Sequence, residues 1–276
     1  MDRKAGSGEG ITMGGEKLHL SFEHERQVAR LRLAAPKGNI LDCAMMQALI
    51  AQLHKLPAEP RLKALVLDAE GDHFSFGASI EEHLPEKIGP TLTQLRELLY
   101  AVTQAPAPVI AAVRGQCLGG GFELVLACDL VIADESAQFA LPEIKLGVFP
   151  PAGAALLPVR IGAGRVSDFV ITGSGWSAER ALAIGLVQRT TPRGLLEREL
   201  QEWLAADFLP RSSAGLRFAA HAARRSVVQA IEKELPALED IYLSVLMKHP
   251  DGFEGVQAFL EKRPPRWAAK PATVAV

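Results

Sequence analysis

Residues 109–155 read VIAAVRGQCLGGGFELVLACDLVIADESAQFALPEIKLGVFPPAGAA, and their order decides the fold. Val109 to Val113 is an apolar run with the length of a buried strand. Three glycines follow, Gly119 to Gly121. Phe122 to Cys128 then reads as a short buried helix, and Leu130 to Ala133 as a second strand. A strand, a glycine turn and a helix start leave free N–H groups that, with the helix dipole, favour negative charge. Close packing of helix on strand is the other reading, because absent side chains serve either purpose. The dinucleotide fingerprint and the P-loop pattern are both absent.

Two carboxylates stand in this stretch: Glu123 in the first helical turn, and Glu143 in a Pro-Glu turn 20 residues on. Each has a structural reading. Glu123 would serve its own helix dipole, and Glu143 would cap Ile144 onward or pair with Lys145. Each also has a chemical one. Two carboxylates converging on one pocket shift each other's pKa, so that one acts as acid and the other as base, or both hold a water.

Working outward, Leu18 to Phe22 and Val28 to Leu33 alternate apolar and polar residues and predict an edge hairpin. Asp42 caps a helix running through Lys55. Ala64 to Leu67 is a short strand, and Glu70 to Ala78 is a loop containing Phe76-Gly77-Ala78-Ser79. A helix from Ile88 or Pro90 to Gln104 ends before Pro106 and Pro108. This alternation argues for a layered α/β fold with parallel strands and helical crossovers. The Phe76–Ser79 loop should open on the same sheet edge as Gly119–Gly121. Backbone N–H groups from the two loops would then make an oxyanion hole.

Beyond Pro150 the patterns turn helical: 154–161, 165–172, 177–184, 195–206, 212–228, 231–248 and 253–262. Only Val187 to Thr191 resembles a strand. Residues 1–16, rich in Gly, Ser and charge, are expected to be a disordered extension. Residues 17–194 form the expected core and 195–276 a helical section suited to an oligomer interface.

The chain has 276 residues, 48% of them hydrophobic, and a formal charge of -2, with no basic stripe for nucleic acid. Cys43, Cys117 and Cys128 are expected as buried free thiols in a reducing compartment, and no second ligand cluster supports a metal. No apolar run approaches the ~20 residues of a membrane span. The expectation is a soluble, cytoplasmic protein.

Three motifs carry a resemblance: AVRGQCLGGGFELVLACDLVIA, AQFALPEIKLGVFP and the closing PDGFEGVQAFLEKRPPRW. Across about Leu18 to Trp267 the chain resembles the crotonase superfamily of enoyl-CoA hydratases and isomerases. The resemblance implies a spiral of β-β-α turns with a C-terminal helical trimerisation region. It implies an acyl-CoA thioester substrate, no cofactor beyond the CoA that the substrate carries, and a homotrimer or dimer of trimers. Matched by position, the oxyanion-hole amides fall on Ala78 and Gly120, and the hydratase glutamates on Glu123 and Glu143. Lys37, Phe259 and Lys262 match positions that approach CoA, the last two often from a neighbouring subunit.

The chain departs from the usual pattern in two places. The loop usually written AGAD is FGAS here, with Phe76 and Ser79 at the changed positions. The glycine-rich turn after the second glutamate is Phe149-Pro150-Pro151-Ala152-Gly153. Both stretches are similar to the branch of the family that hydrates cyclohexa-1,5-diene-1-carbonyl-CoA. A flat ring would fit among Phe74, Phe76 or Phe149, although these aromatics also suit an ordinary core. A general enoyl-CoA hydratase, an isomerase using one glutamate, and a non-catalytic acyl-CoA- or RNA-binding member are the alternatives.

Overall fold

The computed structural model describes residues 17–56 and 59–268. The N-terminal extension expected over 1–16 lies outside the described residues. The chain starts with the expected hairpin: β1 (Leu18–Glu23) pairs antiparallel with β2 (Val28–Leu33). Helix α1 (Cys43–Leu53) begins at Asp42, whose side chain accepts from the Met45 amide at 2.8 Å. There follow β3 (Ala64–Ala69), α2 (Ile88–Thr103) and β4 (Val109–Val113). Next come β5 (Gln116–Leu118), α3 (Gly120–Ala127), β6 (Leu130–Asp134) and β7 (Gln138–Ala140).

The large sheet has the order β1-β2-β3-β4-β6 and then β9 (Arg189–Thr191), and every pair after the hairpin is parallel. Its residues alternate between two covers. Leu65, Leu67, Ala111, Val113, Val131 and Ala133 face the main core with α1, α2 and α3. Val28, Val66, Ile110 and Ile132 face the other way.

A second, three-stranded sheet joins β5, β7 and β8 (Gly175–Ser177). Sequence reasoning missed it, because runs of three residues are too short to show a period. It carries the spiral. One turn is β4, β5, α3, and the next is β6, β7 and α4 (Pro151–Ile161). In the earlier turns single bridges hold the small-sheet position, Leu41 with Ala78 and Ser75 with Cys117. The β-β-α spiral is therefore present, closed by α5 (Val166–Val170) and α6 (Ala178–Ala183).

The helical section divides into two roles. Helix α7 (Leu196–Trp203) and the turn after it place Leu196, Leu200, Trp203, Leu204 and Phe208 on the second face of the large sheet. The chain continues through α8 (Ser213–Ala223) and α9 (Arg225–Gln229) to α10 (Leu235–Asp240), then through a π turn to α11 (Asp251–Leu260). The expected continuous helix 231–248 is thus broken by π turns at 230–234 and 241–245. Buried Arg224 anchors this return. It pairs with Asp129 at 2.6 Å and donates to the carbonyls of Thr103, Ala105 and Ala107. All three cysteines are free, as expected, but Cys43 is only half-buried. No described helix is long and apolar enough to cross a membrane.

Candidate active site

The glycine turn has a definite shape. Gly119 has φ 48° and donates to the Ala140 carbonyl at 2.9 Å, tying the turn to β7. A β-carbon there would stand 2.8 Å from Glu143 Oε1, so only glycine leaves room for that carboxylate. Gly77 has φ 95°, and a β-carbon on it would lie 2.8 Å from the Leu118 carbonyl oxygen. The Phe76–Ser79 loop is pinned by Ser75, fully buried, whose hydroxyl donates to the Asn39 carbonyl and accepts from the Gly77 amide.

Ala78 and Gly120 meet as expected. A β-carbon on Gly120 would be 3.3 Å from the Ala78 nitrogen. Among the described residues neither amide donates to another protein group. Gly120 opens α3, where the first N–H groups have no intrahelical partner. Two free amides side by side form an oxyanion-binding arrangement. The glycines thus serve close packing and open amides together, and the two sequence readings do not compete.

Neither glutamate takes its structural reading. Glu123, buried on α3, reaches the first turn of α4 and accepts from the Gly153 amide at 2.7 Å. Burial pushes its carboxyl up to about 7, while the Gly153 and Ala152 amides pull it back down and Glu239 pushes it up. Glu143 sits in a short 3-10 turn, Pro142–Leu146, and no hydrogen bond or ion pair ties it to Lys145. The residue as a whole is half-buried, but its Oε2 is shut off from solvent and has no hydrogen-bond partner among the described residues. Burial raises its carboxyl well above the usual range, and the neighbouring Glu123 raises it further.

One pocket gathers both glutamates, Ala78, Gly120, Phe76 and Phe149, with an apolar wall that includes Ile88, Leu92 and Leu95. The other residues singled out in the sequence stand apart from this lining. Phe74 is fully buried and belongs to the core. Ser79 precedes a short 3-10 turn and does not line the pocket; its carbonyl lies 2.8 Å from His83 Nδ1. Phe76 sits towards the mouth, 42% exposed, with its ring over Gly38 and edge-on to His73. Lys37, Phe259 and Lys262 are exposed and lie outside the pocket of this chain.

Sequence reasoning missed Tyr242, which lines the same pocket from the π turn after α10. Its ring packs edge-on against Phe149, with centroids 5.4 Å apart. Nothing local marks it, since it sits within a run of helical pattern. Arg96 on α2, paired with Glu239 on α10, was missed for the same reason.

Fold and site together define a crotonase-fold enzyme of the carbon–oxygen lyase type. The chain belongs to the enoyl-CoA hydratase/isomerase family, whose profile matches residues 23–270. It is 40% identical to a cyclohexa-1,5-dienecarbonyl-CoA hydratase of Thauera aromatica, over 91% of this chain and 96% of that one. It is 35% identical to a 2,3-dehydroadipyl-CoA hydratase of Escherichia coli K12, over 89% of this chain and 97% of that one. The crystal structure of an enoyl-CoA hydratase from Mycobacterium avium subsp. paratuberculosis K-10 superposes with TM-score 0.80 at 28% identity, covering 91% of this chain and 98% of that one.

Proposed function

We propose that the protein adds water to an α,β-unsaturated acyl-CoA thioester, and that its acyl group is a cyclic dienoyl ring. The observation that carries hydration is the meeting of Glu123 and Glu143 beside the free Ala78 and Gly120 amides. The 40% identity to the Thauera aromatica hydratase and the aromatic Phe149–Tyr242 wall support the ring.

In this reading the thioester carbonyl oxygen accepts from the Ala78 and Gly120 amides. Glu123, whose charged form two amides stabilise, takes a proton from a water held by the pair. The water oxygen bonds to the β-carbon as the C=C π electrons move towards the carbonyl, giving an enolate held by the two amides. Glu143, kept protonated by burial and by the Glu123 charge, then delivers its proton to carbon. That carbon is the α-carbon of a simple enoyl thioester, or the far end of a conjugated ring diene. The water is consumed, and the proton left on Glu123 returns to Glu143 through solvent or the pair itself. No redox step arises, and CoA enters only as part of the substrate.

Turnover of crotonyl-CoA against cyclohexa-1,5-diene-1-carbonyl-CoA, read by mass, tests both parts. A gain of one water on the ring substrate is expected to dominate. An unchanged mass with a moved double bond would establish isomerisation instead, and preference for the linear substrate would remove the ring proposal. We also propose assembly as a homotrimer or dimer of trimers, supported by apolar side chains left exposed at Ile171 and Phe218, 68% and 73%. Sedimentation showing a monomer would refute this.

A further inference from the structure

Two residues that line the pocket each carry a buried polar atom with no hydrogen-bond partner among the described residues: Glu143 Oε2 and the Tyr242 hydroxyl. The neighbouring polar side chains are occupied. Thr91 donates to the Lys87 carbonyl at 3.1 Å, His83 Nδ1 lies 2.8 Å from the Ser79 carbonyl, and Glu123 accepts from Gly153. A buried hydroxyl without a partner is costly and uncommon. Tyr242 is 1% exposed, so bulk water does not satisfy it.

We infer that the Tyr242 hydroxyl is a specificity-determining contact to the oxygen that hydration places on the substrate, so that the site recognises a hydroxyacyl thioester by that group. The inference rests on the hydratase reading above. Its second basis is position. Burial, and then the charges of Glu143 and Glu123, raise the Tyr242 hydroxyl, which therefore stays protonated. An oxygen held by the two carboxylates lies in the pocket that Tyr242 also lines, and the phenol is a donor there with no protein partner among the described residues. It gives a hydrogen bond and keeps its proton.

The surroundings fix the ring for this task. Phe149 meets it edge-on at 61°. Glu239, one helical turn earlier, is held by Arg96 on α2, the helix whose Leu92 and Leu95 line the pocket. Tyr242 itself lies in a π turn, a feature that recurs at functional sites. The helical section thereby adds a polar group to a pocket otherwise built by the spiral core.

The test compares wild type with Tyr242→Phe, which keeps the ring packing and removes only the hydroxyl. The probes are two matched pairs, 3-hydroxybutyryl-CoA with butyryl-CoA, and hydroxycyclohexenecarbonyl-CoA with cyclohexenecarbonyl-CoA. In the pair whose acyl group the enzyme accepts, the hydroxylated thioester should bind the variant about 10-fold or more weakly, with the deoxy partner within about twofold. Equal losses for both members would show a packing role and overturn the inference, as would no loss for either. Hydration kinetics are read alongside. Wild type that hydrates neither crotonyl-CoA nor cyclohexa-1,5-diene-1-carbonyl-CoA refutes the hydratase reading, whereas wild type that hydrates one of them, beside a variant that binds the hydroxylated thioester as tightly, refutes only the role of Tyr242.

Discussion

The Gly153 amide donates to Glu123 Oε1 at 2.7 Å, joining the start of helix α4 to a carboxylate on helix α3. Glu143, 20 residues from Glu123 in the chain, has a buried oxygen with no such donor. This asymmetry divides the pair. Burial raises both carboxyls; the amides pull Glu123 back towards the charged form, and its charge further favours a proton on Glu143.

Glu123→Gln and Glu143→Gln should each lower hydration by about 10²–10⁴-fold, the usual worth of a positioned acid or base. Affinity for a saturated acyl-CoA should change little. The wild-type kcat/KM should fall on the acid side of about pH 7, as the carboxylate of Glu123 takes up a proton. Full activity in either variant would refute the paired mechanism.

The same raised carboxyl costs stability. Glu123 titrates near 7 when folded, against an ordinary 4.5. Between these values the folded chain holds a proton that the unfolded chain has lost, so stability falls as pH rises through this window. The penalty is complete above about 7 and absent below about 4.5. Glu123→Gln, neutral throughout, should therefore be more stable than wild type at high pH, by on the order of 2–3 kcal/mol. Urea unfolding of both proteins at pH 8 and pH 4 would read the difference, and a gap at pH 4 as large as that at pH 8 would contradict it.

Gly120→Ala places a methyl 3.3 Å from the Ala78 nitrogen, where the substrate oxygen would sit. Loss of hydration by about 10²–10³-fold is expected, matching loss of an oxyanion donor. The methyl also crowds the Ala78 backbone, so the melting temperature is read alongside, and a folded variant isolates the loss of the oxyanion donors. Undiminished kcat would remove these two amides from the mechanism.

Arg224→Met tests the anchor of the helical section. It leaves Asp129 buried without its cation and three carbonyls without their donor. A destabilisation of about 3–5 kcal/mol is expected. Denaturant midpoints of wild type and variant measure it, and a shift under about 1 kcal/mol, the worth of an exposed pair, would contradict the anchoring role.

The sequence singled out Ala78, Gly120, Glu123 and Glu143 through its family resemblance, and by itself determined the parallel layering and most strand and helix positions. These rest on local signals: apolar runs, an Asp cap at Asp42, and glycines at Gly77 and Gly119 that the backbone requires. Tertiary structure alone decided the rest. Strands of three residues, β5, β7 and β8, exist because neighbours pair with them, not because of their own pattern. The Gly153 amide found Glu123 only when α4 was laid against α3. Tyr242 entered the pocket only when the helical section folded back, held through Arg96 and Glu239. Burial and the meeting of distant charges set the chemistry here, and both depend on contacts between residues far apart in the chain.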